Sequence, residues 1–249
     1  LEYGLFRSLV TGGTVRDLGL VGGPVTGNGS AAWTGGLVGF NRGGTVALSF
    51  NTGTVASSGS SALVGGLVGY NLQGGRIIAS YATGAITAGG AGSQAGGLAG
   101  VNATGATVSL SFATGSVAAT GLTASVGGLV GGNAAEAGTT ITSSFATGAV
   151  TAGPTSQAGG LVGHSQGTVT SSFSTGAVSA GSGSSVGGLV GLNSGTVTNA
   201  FWDTHSSGRT SSAAGTGQTT AQLQTGFDLT GLNTANAGAF AGGTGGLYP

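Results

Sequence analysis

One heptapeptide, GGLVGxN, returns along the whole chain at nearly constant spacing, and that periodicity restricts the fold more than any other property of the sequence. GGLVGFN begins at Gly35, GGLVGYN at Gly65, GGLAGVN at Gly96, GGLVGGN at Gly127, GGLVGHS at Gly159 and GGLVGLN at Gly187, with a degenerate YGLFRSL at Tyr3. The six intact copies start at intervals of 30, 31, 31, 32 and 28 residues. Repeats of this length build solenoids, one coil per repeat. A second block follows each heptapeptide: TVALSFNTGTV from Thr45, RIIASYATGAI from Arg76, TVSLSFATGSV from Thr107, TITSSFATGAV from Thr140 and TVTSSFSTGAV from Thr168. The seventh repeat begins the same block as TVTNAFWDT at Thr196 and breaks off.

These blocks are rich in Val, Ile, Thr and aromatic residues, are four to seven residues long and are bounded by Gly, Asn or Ser, which reads as short strands. Val46, Leu48 and Phe50 share one parity and Ala47 and Ser49 the other, predicting an unbroken strand with the first set inward. Length varies between the Asn and the next Val and after the second Val of each repeat, which places loops there. The expectation is all-β: a single β-solenoid of about seven coils, roughly 30 residues each, over residues 1–204. Residues 205–249 lie outside the repeat and form an irregular tail, either a C-terminal cap or an inter-subunit connector.

Stacked coils turn each repeat position into a column. The leucine column is Leu37, Leu67, Leu98, Leu129, Leu161 and Leu189, with Leu5 before it. The aromatic column, expected inside the coil, is Phe50, Tyr81, Phe112, Phe145, Phe173 and Phe201, preceded by Leu20. Asn41, Asn71, Asn102, Asn133 and Asn193 mark one corner, where an Asn can adopt the left-handed conformation and stacked copies can bond along the axis. The 58 glycines are expected to supply corners of positive φ and close backbone approach, with Gly65, Gly66 and Gly69 letting one coil turn.

Composition excludes several classes. Glycine does not recur at every third position, which excludes collagen. Disorder requires low hydrophobicity with high charge, whereas 39% of residues are hydrophobic and formal net charge is zero. No run of about 18 apolar residues predicts a transmembrane helix. Nucleic-acid binding is not expected, because Lys is absent and Arg7, Arg16, Arg42, Arg76 and Arg209 are scattered among five acids. The lack of Met at the start and of a basic region followed by an apolar stretch reads as a processed chain or internal fragment. Cysteine is absent, which removes disulfides and thiolate chemistry. With 4% charged residues, colloidal repulsion is weak and self-association is favoured.

The pattern GGLVGxN followed by G.V..S..TG.V resembles the GLUG repeat of large bacterial surface and secreted proteins. These include filamentous-haemagglutinin-like adhesins and the non-catalytic region of some IgA-cleaving metallopeptidases. The resemblance covers residues 3 to about 204, and FWDTHSSGRTSSAAGTGQTTAQLQ from Phe201 is similar to the stretch that often follows the last such repeat. It implies an exported β-solenoid stalk or adhesive module, secreted to the cell surface or matrix, and supplies no catalytic site.

The residues offer little chemistry. His164 and His205 are the two histidines, and no HExxH pair exists. His164 sits at the variable sixth heptapeptide position and reads as surface filler. Asp203, His205 and Ser206 hold triad residue types, but sequence neighbours rarely converge on one reacting atom. No catalytic residue and no enzyme activity are expected. No cofactor is expected either; a single calcium site using Asp203, Asp228 or Glu136 stays open. The TxT pairs Thr140/Thr142, Thr168/Thr170 and Thr196/Thr198 resemble, in that patch alone, the face of ice-binding β-helices.

Repeat-like sequence begins by Tyr3 without room for an N-terminal cap, which reads either as a chain cut from a longer protein or as a first coil that another molecule completes. In the tail, Thr220 is expected to cap a helical turn. Leu5, Phe6, Phe227, Leu229, Leu232, Phe240, Leu247 and Tyr248 are the expected inter-subunit contacts of a homopolymer joined through solenoid ends. The function expected is a non-enzymatic structural subunit of a bacterial extracellular fibre or adhesin. The alternative is a surface-binding module for glycan, host surface or ice. An exposed row of aromatics would favour binding, and aromatics inside the coil with complementary ends would favour a scaffold.

Overall fold

A computed structural model describes residues 1–225, and they form a β-solenoid. Each coil visits four walls, and the second coil shows the plan. Its strands are Trp33–Gly35 on the first wall, Val38–Arg42 on the second, Thr45–Ala47 and Phe50–Asn51 on the third, and Val55–Ser57 on the fourth. Every strand pairs in parallel with its counterpart in the coils before and after. The first and second walls are seven-stranded sheets and the fourth is six-stranded. Six coils are therefore complete, and the seventh ends with Thr196–Asp203 on the third wall.

Leu37, Leu67, Leu98, Leu129, Leu161 and Leu189 are fully buried in one core, with the valine (Ala99 in the fourth coil) that follows each and with Val46, Ile77, Val108, Ile141 and Val169. A second core joins Val55, Ile86, Val117, Val150 and Val178 of the fourth wall to Val64, Ala95, Val126 and Ala158 of the first. No single coil can close either core, so stability is shared between neighbours along the axis.

The glycines of the heptapeptide act by close approach, and the positive-φ role expected of them falls to other residues. None of Gly65, Gly66 and Gly69 has positive φ. A Cβ on Gly69 would stand 2.6 Å from both Gly39 O and Thr34 N, and one on Gly65 would meet Gly100 N at 2.6 Å. At these points the first and second walls touch backbone to backbone, leaving no room for a side chain. Gly66 and Gly97 each face the Cβ of an alanine, Ala82 and Ala113, at 2.7 Å.

In the first five coils the third-wall strand is broken in two, as at Thr45–Ala47 and Phe50–Asn51; in the last two it runs through as Thr168–Ser174 and Thr196–Asp203, with the same left-handed residue inside it. Asp17, Leu48, Ala79, Leu110, Ser143, Ser171 and Asn199 stand at one corner with φ between 48° and 53°. The left-handed residue reverses the inward parity. Val46 points in, Leu48 is 47% exposed, Ser49 is buried and Phe50 is half-buried. The unbroken alternation expected of Val46, Leu48 and Phe50 therefore fails at Leu48. Left-handed backbone is costly for residues with a Cβ, so seven copies at one corner require local compensation. Leu20 also leaves its expected column. Gly19 pairs with Phe50, and Leu20 with Asn51.

Candidate functional site

At five of the seven left-handed corners the compensation comes from a serine column, whose Ser49 the parity of the block places outward. Ser49, Ser80, Ser111, Ser144 and Ser172 are buried. Each hydroxyl donates to the carbonyl two residues back, at 2.7–2.8 Å, closing the corner. Each of the last four also accepts the backbone N–H of the serine one coil earlier, at 3.1–3.2 Å. Each of these four hydroxyls thus pairs a buried serine N–H of the coil before, while every carbonyl that the column donates to also accepts a backbone N–H, as Ala47 O does from Asp17. The signal was the constant Ser in the SF and SY dipeptides, hidden because the break in the strand was not foreseen.

The asparagine corner forms an axial hydrogen-bond ladder. Asn41 Nδ2 donates to Asn71 Oδ1 at 2.7 Å, Asn71 to Asn102 at 2.9 Å and Asn102 to Asn133 at 3.0 Å. Each of the first three also donates to its own corner, at Gly44 O, Gly75 O and Ala106 O. All four are buried. Ser165 interrupts the column, and Asn193 closes its own turn through Gly195. At the other end Leu9 pairs with Asn41, leaving Asn41 Oδ1 buried without a donor.

The aromatic column stacks outside the coil, which corrects the expectation of an inward aromatic. Phe50, Tyr81, Phe112, Phe145 and Phe173 lie face to face with centroids 4.9–5.0 Å apart and planes within 9°. The first four are half-buried, and Phe173 and Phe201 are buried. Since neighbouring rings cover one another's faces, the ladder presents ring edges outward and offers no open platform for a ligand.

Residues weighed for chemistry are placed as follows. Asp203 is fully buried. Its Oδ1 accepts the backbone N–H of His205 at 2.8 Å and of Ser206 at 3.2 Å, and its Oδ2 accepts from Thr220 Oγ1 at 2.7 Å. Ser206 Oγ donates to Thr175 O at 2.6 Å. Asp203 therefore organises a turn and ties the tail to the last coil, with no Asp–His–Ser relay among these bonds. Glu136 is exposed and accepts from Thr104 N–H at 3.3 Å. Among the described residues no group of three or more His, Cys, Asp or Glu could hold a metal ion. Asp228 lies outside the described residues. Thr140, Thr142, Thr168 and Thr170 are partly exposed and Thr196 and Thr198 exposed on the third wall, where Thr198 Oγ1 donates to Thr170 Oγ1 at 3.2 Å. His164 stands on the second wall, half-buried, and burial lowers its pKa from the ordinary 6.5.

The two ends differ. The first coil exposes Leu1, Leu5, Phe6, Val10 and Val21, with Leu5 54% exposed. At the other end the chain after Asp203 folds over the last coil. Thr216–Gln218 adds a parallel strand to Phe201–Asp203. Ser212 Oγ accepts from Leu189 N and Val190 N, and Trp202 Nε1 donates to Arg209 O. The helix Thr220–Thr225 is capped by Thr219 rather than Thr220. Thr219 Oγ1 accepts Gln222 N–H at 3.2 Å and Gln222 Oε1 accepts Thr219 N–H at 2.8 Å, a capping box. Thr220 instead spends its hydroxyl on Asp203. Phe227, Leu229, Leu232, Phe240, Leu247 and Tyr248, the expected connector contacts, lie outside the described residues. No helix among the described residues is long and apolar enough to cross a membrane.

No curated protein and no solved structure matches the chain. Residues 60–87, which run from the corner before Leu63 through the heptapeptide, the Asn71 and Ser80 corners and the fourth-wall strand, match the family model of the GLUG motif. The chain is thus a β-solenoid that carries the GLUG motif.

Proposed function

We propose that the chain is a non-enzymatic structural module of a bacterial extracellular fibre or adhesin, in which solenoids join end to end. The observation that carries this reading is the set of leucine, serine, asparagine and aromatic columns running along the axis in fixed register. Such columns convert sequence into axial stiffness, because bending the rod would shear every ladder at once. Buried corners and scarce charge leave few exposed flexible sites for proteases. The likeness of the repeat to bacterial surface proteins supports secretion.

The exposed first coil supports the end-to-end contact. It pairs with the second coil along one edge, and its Leu5 and Phe6 are exposed. Open edges of this kind accept further strands. The matching surface on another copy is the turn over the last coil, whose strand Thr216–Gln218 provides an edge. Sedimentation velocity of the chain over a wide concentration range tests this. The expected result is concentration-dependent association that the double variant Leu5→Asp/Phe6→Asp abolishes. A monomer at every concentration would contradict it.

A further inference from the structure

The variable sixth position of the heptapeptide forms its own column on the outside of the second wall: Ser8, Phe40, Tyr70, Val101, Gly132, His164 and Leu192. Beside it runs the outward column of the first wall, Glu2, Trp33, Leu63, Gln94, Ser125, Gln157 and Ser185. The two columns border a groove along the axis. In the second and third coils it is filled by a cluster in which Trp33 lies 4.6 Å from Phe40 and 5.3 Å, edge-on, from Tyr70.

The fifth coil departs from the repeat twice at the same place. Where other coils put a side chain in the groove, it has Gly132. Its next corner is lengthened to AAEAGTT, bringing in Glu136. Together the departures open a cavity of about 390 Å³ walled by Tyr70, Gln94, Val101, Ser125, Glu136 and His164. That is near the lower end of the range for small-molecule pockets, about 300–1,000 Å³. The Gly132 gap is floored by the Gln94 amide, which a Cβ at 132 would strike. Glycine is not required there by backbone, since its φ is not positive and bulky residues occupy the same register in adjacent coils.

We propose that this cavity is a binding site for a neutral saccharide, with the Trp33–Phe40–Tyr70 cluster extending it toward the first coil. The wall chemistry selects the ligand class. It combines uncharged hydrogen-bonding groups, the Tyr70 hydroxyl, the Gln94 amide and the His164 imidazole, with the apolar Val101 and an aromatic ring. Those three polar groups make no hydrogen bond to protein among the described residues. No Arg lines the cavity, so an anion finds no counter-charge. Glu136 is its one carboxylate, so a divalent cation would meet a single negative charge there. A sugar ring offers hydroxyls to the amide, imidazole and carboxylate and a C–H face to Tyr70 and Val101.

This goes beyond the structural role, and either can fail without the other. The test titrates the full chain by calorimetry with neutral hexasaccharides of β-1,4-glucose, α-1,4-glucose, β-1,3-glucose and N-acetylglucosamine. Hexagalacturonate and calcium chloride are titrated alongside. The expected result is binding of at least one neutral saccharide, weakened about tenfold or more by Gly132→Leu, which refills the gap as Leu192 does in the seventh coil, and also weakened by Gln94→Ala. Gln94→Ala keeps the test open should Gly132→Leu fail to fold. The proposal is overturned if no neutral saccharide binds, if the variants bind as the parent does, or if calcium or the acidic saccharide alone binds.

Discussion

Replacing Asn102 by Ala removes the middle of the asparagine ladder, and the cost follows from the partners it leaves. Asn102 Nδ2 supplies Asn133 Oδ1, and its Oδ1 receives Asn71 Nδ2. After the change Asn133 Oδ1 loses that donor inside the protein, while Asn71 Nδ2 retains Gly75 O at 3.2 Å and a long contact to Thr107 O at 3.4 Å. Ala106 O keeps the Thr140 N–H at 3.1 Å. One group fully and one partly stranded, at about 1–3 kcal/mol each, gives a destabilisation of about 2–4 kcal/mol. In a domain of this size, 1 kcal/mol moves Tm by about 2–4 °C, so a fall of roughly 4–16 °C is expected. Asn41→Ala is the internal control. Asn41 Oδ1 already lacks a donor, so that change strands Asn71 Oδ1 while removing an existing penalty, and its cost is expected to be smaller. Denaturant unfolding of both variants, with hydrogen exchange at the corner amides to localise the loss, provides the assay. If Asn102→Ala stays within about 0.5 kcal/mol of the parent, as ordinary surface changes do, or costs less than Asn41→Ala, the ladder does not stabilise the rod as described.

Leu129→Ala, at a fully buried site, is expected to lose about 2–5 kcal/mol by denaturant unfolding, with protection lost first in the fourth to sixth coils. Gly97→Ala would drive a Cβ into Gly128 O and Ala113 Cβ, whereas Gly74→Ala meets open space at φ +78°. The first should cost more than the second, which carries left-handed strain of about 1 kcal/mol. Thermal melts of the pair decide this. For His164, burial places the folded pKa below 6.5, so below that value the unfolded chain binds more protons than the folded one. Its contribution is therefore fully present above pH 6.5 and lost as pH falls through the lowered value, and His164→Gln should flatten that limb of a stability-versus-pH series.

The coil, its length and its leucine interior were legible because a solenoid repeats every physical requirement at a fixed interval, and Leu37 to Leu189 display it six times. The third-wall corner was not legible. Leu48, Ala79 and Leu110 are residues that ordinarily avoid left-handed backbone, and nothing in their own identity announces it. The announcement lay in the neighbouring serine, whose hydroxyl closes the corner. Missing that break put Phe50 and its column inside, when one shift of parity turns them out. Leu20 was misplaced for a related reason: in a degenerate coil the chemical likeness of Leu to Phe outweighed register, and the structure sets Gly19 against the Phe50 ring. Thr219 was passed over for Thr220 although Gln222, three residues on, completes its capping box. The cavity over Gly132 lies outside what a consensus reveals, because it is made by two departures from the consensus.

The proposed joining of these rods through their ends is decided by electron microscopy of the purified chain. Seven coils and the added strand Thr216–Gln218 make eight rungs on the third wall, which at about 4.8 Å each give a subunit of roughly 38 Å along the axis. Uniform filaments with that axial repeat are expected, shortened or abolished by Leu5→Asp/Phe6→Asp. Separate single particles at every concentration, with the double variant indistinguishable from the parent, would contradict it.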